Sequence, residues 1–281
     1  MQAIIPGGAT NDEALLRLWL HNRSVHTQKA YINDVAKLLA VTGKTIRELT
    51  LSDLQSFADA IVGYAPSTQS RMIAAVKSVL AFAHETGYAP FNVGVAVRVP
   101  KRKDTLSERI LTEAAVQRML ALETNTRNHL IIRLLYASGI RCAELCGLQW
   151  KDVVERGEAG QITVYGKGGK TRAILLTPAT WDEMQQFRGE YGLEEPVFIS
   201  RKRMPLDASQ VRRIVKAAAK RAGLPATVSP HWLRHSHGTH ALDRGSPISL
   251  VQATLGHANV ATTGRYLHAR PHDSSARYLP I

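Results

Sequence analysis

At 281 residues, with a formal net charge of +13 and two cysteines, the chain is too long for a small disulfide-stapled scaffold and apolar enough for two cores. No apolar run reaches the roughly 18 to 20 residues of a membrane span, and the start lacks a basic flank before an apolar stretch; a soluble, cytoplasmic protein without a membrane partner is expected. A pI near 10 calls for a polyanionic partner, although charge alone does not separate DNA, RNA and a membrane surface.

Residues 1 to 104 carry 12 Lys+Arg against 8 Asp+Glu, and residues 105 to 281 carry 24 against 15. Two basic lobes on one polyanion fit this better than a single basic tail, with solvated surface lysines as the alternative. The first hundred residues predict helices throughout. Thr10 is a candidate cap before Leu15, Leu16, Leu18, Trp19 and Leu20; Ser24 to Val41 puts Tyr31, Val35, Leu38 and Leu39 on one face; Ser52 and Ser67 can cap stretches ending near Val62 and at Gly87. Then Pro100 and the cations Lys101, Arg102 and Lys103 mark an exposed linker that could itself touch phosphate. The expected division is a helical domain over 1–98, a basic linker over 99–107 and a second domain over 108–281.

Beyond the linker, Thr112 opens a helix with Val116, Met119 and Leu120 inward, and Asn128 to Ser138 forms another, with Leu130, Ile131, Leu134 and Leu135 inward, ending at Gly139. Cys142 and Cys146 lie in an apolar helical pattern and are expected to pack in the core. Gln161 to Tyr165 and Thr171 to Leu176 alternate as strands around Gly166-Lys167-Gly168-Gly169-Lys170, giving a hairpin, and helical patterns return from Asp207. That glycine-rich turn is not a phosphate loop, which would need glycine where Val164 stands and a helix where a strand follows.

Arg141 and Glu144 stand three apart on one helical face, either a surface ion pair or an arginine oriented by a carboxylate to meet phosphate. Downstream, His231 and Arg234 share a helical face, Leu255-Gly256-His257 follows, and Tyr266 stands nine residues beyond that histidine. Two arginines and a histidine suit the charge of a pentacoordinate phosphorus, and a tyrosine of ordinary pKa near 10 needs help to become a nucleophile, which His231 could give as its base.

This ordered set resembles the tyrosine recombinases of the phage integrase type, including the Xer-like enzymes: an arginine in a Gly-hydrophobic-Arg-x-x-Glu box, a hairpin lysine, His-x-x-Arg, Leu-Gly-His, then a tyrosine. Here these are Arg141, Lys167, His231, Arg234, His257 and Tyr266, with Glu144 in support. The resemblance implies a mainly α fold with a small antiparallel β-sheet (α+β), in which an all-helical N-terminal domain clamps double-stranded DNA and a C-terminal domain is catalytic. It implies site-specific recombination through a 3′ phosphotyrosyl intermediate, with no cofactor, metal or ATP, by a homo-tetramer in the synaptic complex. Arg141 and Arg234 would clamp the non-bridging oxygens, His257 would add a donor, Lys167 would protonate the leaving 5′ oxygen and His231 would assist deprotonation of Tyr266. The alternatives are type IB topoisomerase-like relaxation and an inactive architectural DNA-binding protein. Two features depart from the family pattern. His235, His237 and His240 crowd the segment after Arg234, raising a metal site against helix packing or capping, and only a short tail helix, Pro271 through Leu279, could follow Tyr266.

Overall fold

The computed structural model describes residues 8–99, 105–166, 169 and 171–267. Two compact units divide the chain, Met1–Lys103 and Asp104–Ile281. The first contains α1 (Asp12–Leu20), α2 (Val25–Thr42), α3 (Leu51–Ala60) and α4 (Pro66–Glu85). Leu15, Trp19, Val35, Leu38, Phe57 and Val79 close its core, so the one-faced apolar pattern of α2 is satisfied as expected. Ser24 caps α2, but three other starts differ from expectation. Asn11 rather than Thr10 accepts from Ala14, Thr50 rather than Ser52 accepts from Asp53, and α4 begins on Pro66, whose missing N–H costs nothing in a first turn.

The second unit comprises α5 (Glu113–Ala121), α6 (Thr126–Ser138), α7 (Cys142–Cys146), β1 (Val153–Arg156), β2 (Ala159–Tyr165), β3 (Thr171–Leu175), α8 (Pro178–Arg188), α9 (Ala208–Arg221), α10 (Pro230–Asp243), α11 (Ile248–Leu255) and α12 (Val260–Leu267). The fold is therefore mainly α with one small antiparallel sheet, ordered β1-β2-β3, in which Val153 faces Ile162 and Ile162 faces Ile174. β2 buries Gly160, Ile162 and Val164 on one face, as a period of two requires. β1 and α8 had no counterpart in the sequence pattern, and α6 starts two residues before the expected Asn128, capped by Asn125.

The large core joins Val116, Met119, Leu130, Ile131, Leu134, Leu135, Trp150, Ile162, Met184 and Leu233, with the free thiols Cys142 and Cys146 packed against its edge. α10 threads this unit, packing on α6, α9, α11 and α12, and Ser236 Oγ accepts the Leu111 N–H at 2.8 Å. A separate small cluster of Leu106, Ile110, Val251, Leu255 and Tyr266 mounts α12 on α11. No helix among the described residues is long and apolar enough to cross a membrane.

Candidate active site

Short stretches from α6–α7, β3, α10, α11 and α12 converge. α6 stops at Gly139, where φ is +60° and an added Cβ would lie 2.7 Å from both the His237 ring and the Leu255 side chain, so glycine alone fits. The turn delivers Arg141, whose N–H donates to Glu144 Oε2 at 2.7 Å and whose guanidinium donates to Glu144 Oε1 at 2.8 Å. The expected ion pair is present, but Glu144 serves a second arginine as well. Arg172 of β3 donates to both its oxygens, at 2.9 and 2.8 Å. Burial pushes the Glu144 carboxyl up, and the hydrogen bonds from Arg172 and Arg141 outweigh it, holding the group at about 2.

Arg234 on α10 is only 3 % exposed. In place of a carboxylate, its guanidinium donates to the Gly139 carbonyl at the end of α6 and to the Leu255 carbonyl at the end of α11, the latter at 2.5 Å. Helix C-termini carry partial negative charge, which is what a buried cation lacking an anion needs. Burial lowers its pKa to about 10, with Arg141 adding to the effect, so it stays charged at neutral pH. The last turn of α11 serves all three arginines: the Thr254 carbonyl accepts from Arg172 at 2.7 Å, Leu255 from Arg234, and Gly256 from Arg141 at 3.1 Å. The Leu-Gly-His motif thus sits where three consecutive carbonyls orient three guanidinium groups.

Four rings follow one another beside these cations. His231, exposed on the first turn of α10, stacks on His235 with centroids 5.6 Å apart. His235 Nδ1 lies 3.0 Å from the Tyr266 hydroxyl, and Tyr266 stacks on His257 at 6.1 Å. His257 Nδ1 in turn meets Thr263 Oγ1 at 2.9 Å. Tyr266 is 3 % exposed, and Gly238 makes room for it, since a Cβ there would stand 3.0 Å from the tyrosine ring. Burial pushes the phenol up against the pull of Arg234, Arg265 and Arg141. Burial and the surrounding cations bring His235 and His257 down to about 4 and lower His231 as well.

The remaining histidines have structural partners. His237 Nδ1 donates to the Tyr136 carbonyl at 2.8 Å, and His240 Nδ1 lies 2.8 Å from the Tyr136 hydroxyl. Among the described residues no three His, Cys, Asp or Glu side chains converge as a metal site would require. A cleft of about 260 Å³ opens beside the ring stack, lined by Arg141, Arg212, Ser229, His231 and Arg234 among others, with no carboxylate in its lining. Such a site can receive an anion and present it to cationic donors.

Of the residues expected from sequence, Arg141, Glu144, Arg234, His231, His257 and Tyr266 come together. Lys167, the linker cations Lys101, Arg102 and Lys103, and the tail 271–279 lie outside the described residues. Arg172, Arg212 and His235 belong to the site without having been singled out for it. Arg172 falls on the inward face of β3 with Ile174, an arginine without a visible reason to be there until Glu144 is found 28 positions away. His235 had a visible signal, its four-residue spacing from His231 on one helix.

The phage integrase family matches residues 109–272, and its N-terminal SAM-like domain matches residues 15–87. Tyrosine recombinase XerC of Mycobacterium bovis is 33% identical over 270 residues, covering 88% of this chain and 89% of the relative. Among solved structures, XerH site-specific recombinase in a pre-cleavage complex with its difH substrate aligns with a TM-score of 0.75 at 20% identity, over 96% of this chain and 83% of that one. A lambda integrase tetramer bound to a Holliday junction aligns with a TM-score of 0.71 at 18% identity, over 89% and 78%. At these identities the two structures speak for the fold.

Proposed function

The chain belongs to the phage integrase family as a site-specific tyrosine recombinase, and on that premise we propose that Tyr266 attacks a DNA phosphodiester to form a 3′ phosphotyrosyl link. Arg141 and Arg234 clamp the non-bridging oxygens, and His257, its Nδ1 engaged by Thr263, offers the opposite ring nitrogen as a further donor. Lys167 protonates the leaving 5′ oxygen, and His231 assists deprotonation of Tyr266. Glu144 and Arg172 hold Arg141 in place. Rejoining runs the same steps backwards. The phosphotyrosyl ester conserves the energy of the broken bond, so ATP is not needed, and the arginines supply the charge that a divalent metal would otherwise bring.

The observation that carries this reading is the arrival of Tyr266 from α12 beside His257, within the field of a buried arginine and a half-exposed one. The partner is double-stranded DNA in the cytoplasm. By analogy with the lambda integrase tetramer on a Holliday junction, four copies act on two duplexes. Residues 1–98 form a helical clamp on the duplex, 99–107 a linker whose Lys101, Arg102 and Lys103 touch phosphate, and 108–281 the catalytic domain.

A nicked suicide duplex of the target site, recovered by sequencing DNA trapped on the protein, is the test. Denaturing gels are expected to reveal a covalent protein-DNA adduct in the presence of EDTA and none from Tyr266→Phe. Adduct formed by Tyr266→Phe overturns the assignment of the nucleophile.

A further inference from the structure

We propose that His235 is a catalytic residue, the direct acceptor of the Tyr266 phenolic proton in strand cleavage and its donor in rejoining, with His231 acting on Tyr266 only through it. This rests on Tyr266 being the nucleophile. The 3.0 Å separation between His235 Nδ1 and the Tyr266 hydroxyl is within direct proton-transfer reach. With Tyr266 3 % exposed, bulk water is poorly placed to take the proton instead. His231 stacks its ring on His235, whose own ring lies 5.8 Å from that of Tyr266. On the other side of the phenol, His257 Nδ1 is engaged by Thr263. Gly238, one turn along α10 from Arg234 and His235, leaves the space that lets the phenol reach Nδ1.

The groups around His235 explain why the nucleophile is not generated idly. From α10 it faces His231 and Arg234, from α12 Tyr266 and Arg265, and from the turn before α5 Arg109. Burial and these cations keep the imidazole neutral without DNA, and burial keeps the phenol protonated. A phosphodiester seated between Arg141 and Arg234 adds negative charge to that field, which raises the proton affinity of His235 when attack begins. As the Tyr266 oxygen bonds to phosphorus, its proton passes to Nδ1 and His235 becomes imidazolium. The P–O5′ bond breaks, and the leaving oxygen is protonated by a separate acid, the role assigned to Lys167. In rejoining, the 5′ hydroxyl gives its proton to that second group and bonds to phosphorus. The tyrosyl oxygen leaves and takes the proton back from His235.

A suicide duplex with sulfur bridging at the 5′ position isolates this arm, because a thiolate leaves without a proton. Adduct formation by the full chain is followed from pH 4.5 to 8.5, with DNA binding measured by gel shift. The wild type is expected to slow on the acid side. His235→Ala is expected to lose about a hundredfold or more, to lose that acid limb and to regain rate with added imidazole, whereas His231→Gln keeps the limb. If His235→Ala fails to bind DNA, His235→Asn, whose amide lies near the place of Nδ1, decides between loss of the limb and its retention. Cleavage within a few-fold of wild type, or an acid limb that persists without His235 and vanishes without His231, overturns the proposal. A Tyr266→Phe protein that still forms adduct overturns the underlying reading instead.

Discussion

The two units carry cations and carboxylates in nearly the same proportion, 12 to 8 over residues 1 to 104 and 24 to 15 beyond, and both hold ordinary ion pairs, yet the second also gathers cations that its carboxylates do not match. In the first unit the perturbed groups have local partners: Asp53 is held at about 2 by Thr50 and then Lys44, buried Asp34 pairs with Arg71, and Tyr88, raised to about 12 by burial, donates to Asp12. In the second, one carboxylate answers two arginines, a third arginine is buried on carbonyls alone, and a neighbouring cleft has cations and no carboxylate in its lining. The same composition therefore serves self-neutralisation in one place and a cation-lined cleft in the other. Basic composition points to a nucleic-acid partner only coarsely; uncompensated placement is what marks the candidate active centre.

The contrast is tested most severely at Arg234. Arg234→Ala is expected to reduce adduct formation by about a hundredfold to a thousandfold in single-turnover cleavage, the usual cost of a lost transition-state donor. Arg234→Lys should not restore the rate, because an ammonium cannot reproduce the planar fork that spans the Gly139 and Leu255 carbonyls. Full recovery with lysine would show that charge alone is needed there. Glu144→Ala comes next, since it leaves Arg141 and Arg172 facing each other with no anion between them. Urea unfolding should register a loss of about 3 to 5 kcal/mol, the cost of breaking a buried pair. Replacing Glu144 and Arg172 together by methionine should return much of that stability, while cleavage stays impaired because Arg141 has lost its orienting carboxylate.

How far these features could be read in advance follows from the range of the interactions involved. The inward faces of α2, α5 and α6, the hairpin strands and the stop at Gly139 are set by periodicity and by a positive φ, both local. β1 escaped because only Val153 of its four residues is buried, so no alternation is visible. α8 begins on Pro178 and buries just Thr180 and Met184, too sparse a stripe to stand out. Caps moved by a residue or two where neighbouring Thr, Asn and Ser side chains could each serve. In the candidate site, the grouping of Arg141, Arg234, His257 and Tyr266 was expected from the family resemblance that their order and separations carry. Arg172 and the triple use of the α11 carbonyls were not, since they exist only once β3, α7, α10 and α11 meet.

The smallest expected effect concerns acid stability, and its sign follows from the histidines. His235, His237 and His257 are held at about 4 in the folded protein against an ordinary 6.5, so between these values the unfolded chain binds more protons than the folded one. Stability conferred by their neutral forms is complete above 6.5 and is lost as pH falls towards 4. Glu144, depressed from 4.5 to about 2, holds its contribution above 4.5 and loses it only as pH falls towards 2. In the first unit Asp53, depressed from 3.8 to about 2, acts in that same lower window. Hydrogen exchange read by peptide should therefore show protection falling between pH 6.5 and 4 in α10 and around His257 after correction for the intrinsic exchange rate, while α2 and α4 keep theirs. Added duplex should oppose the loss, because a bound phosphate compensates the cations that disfavour protonation. Equal loss in both units would mean that the charge contrast between them does not govern their acid response.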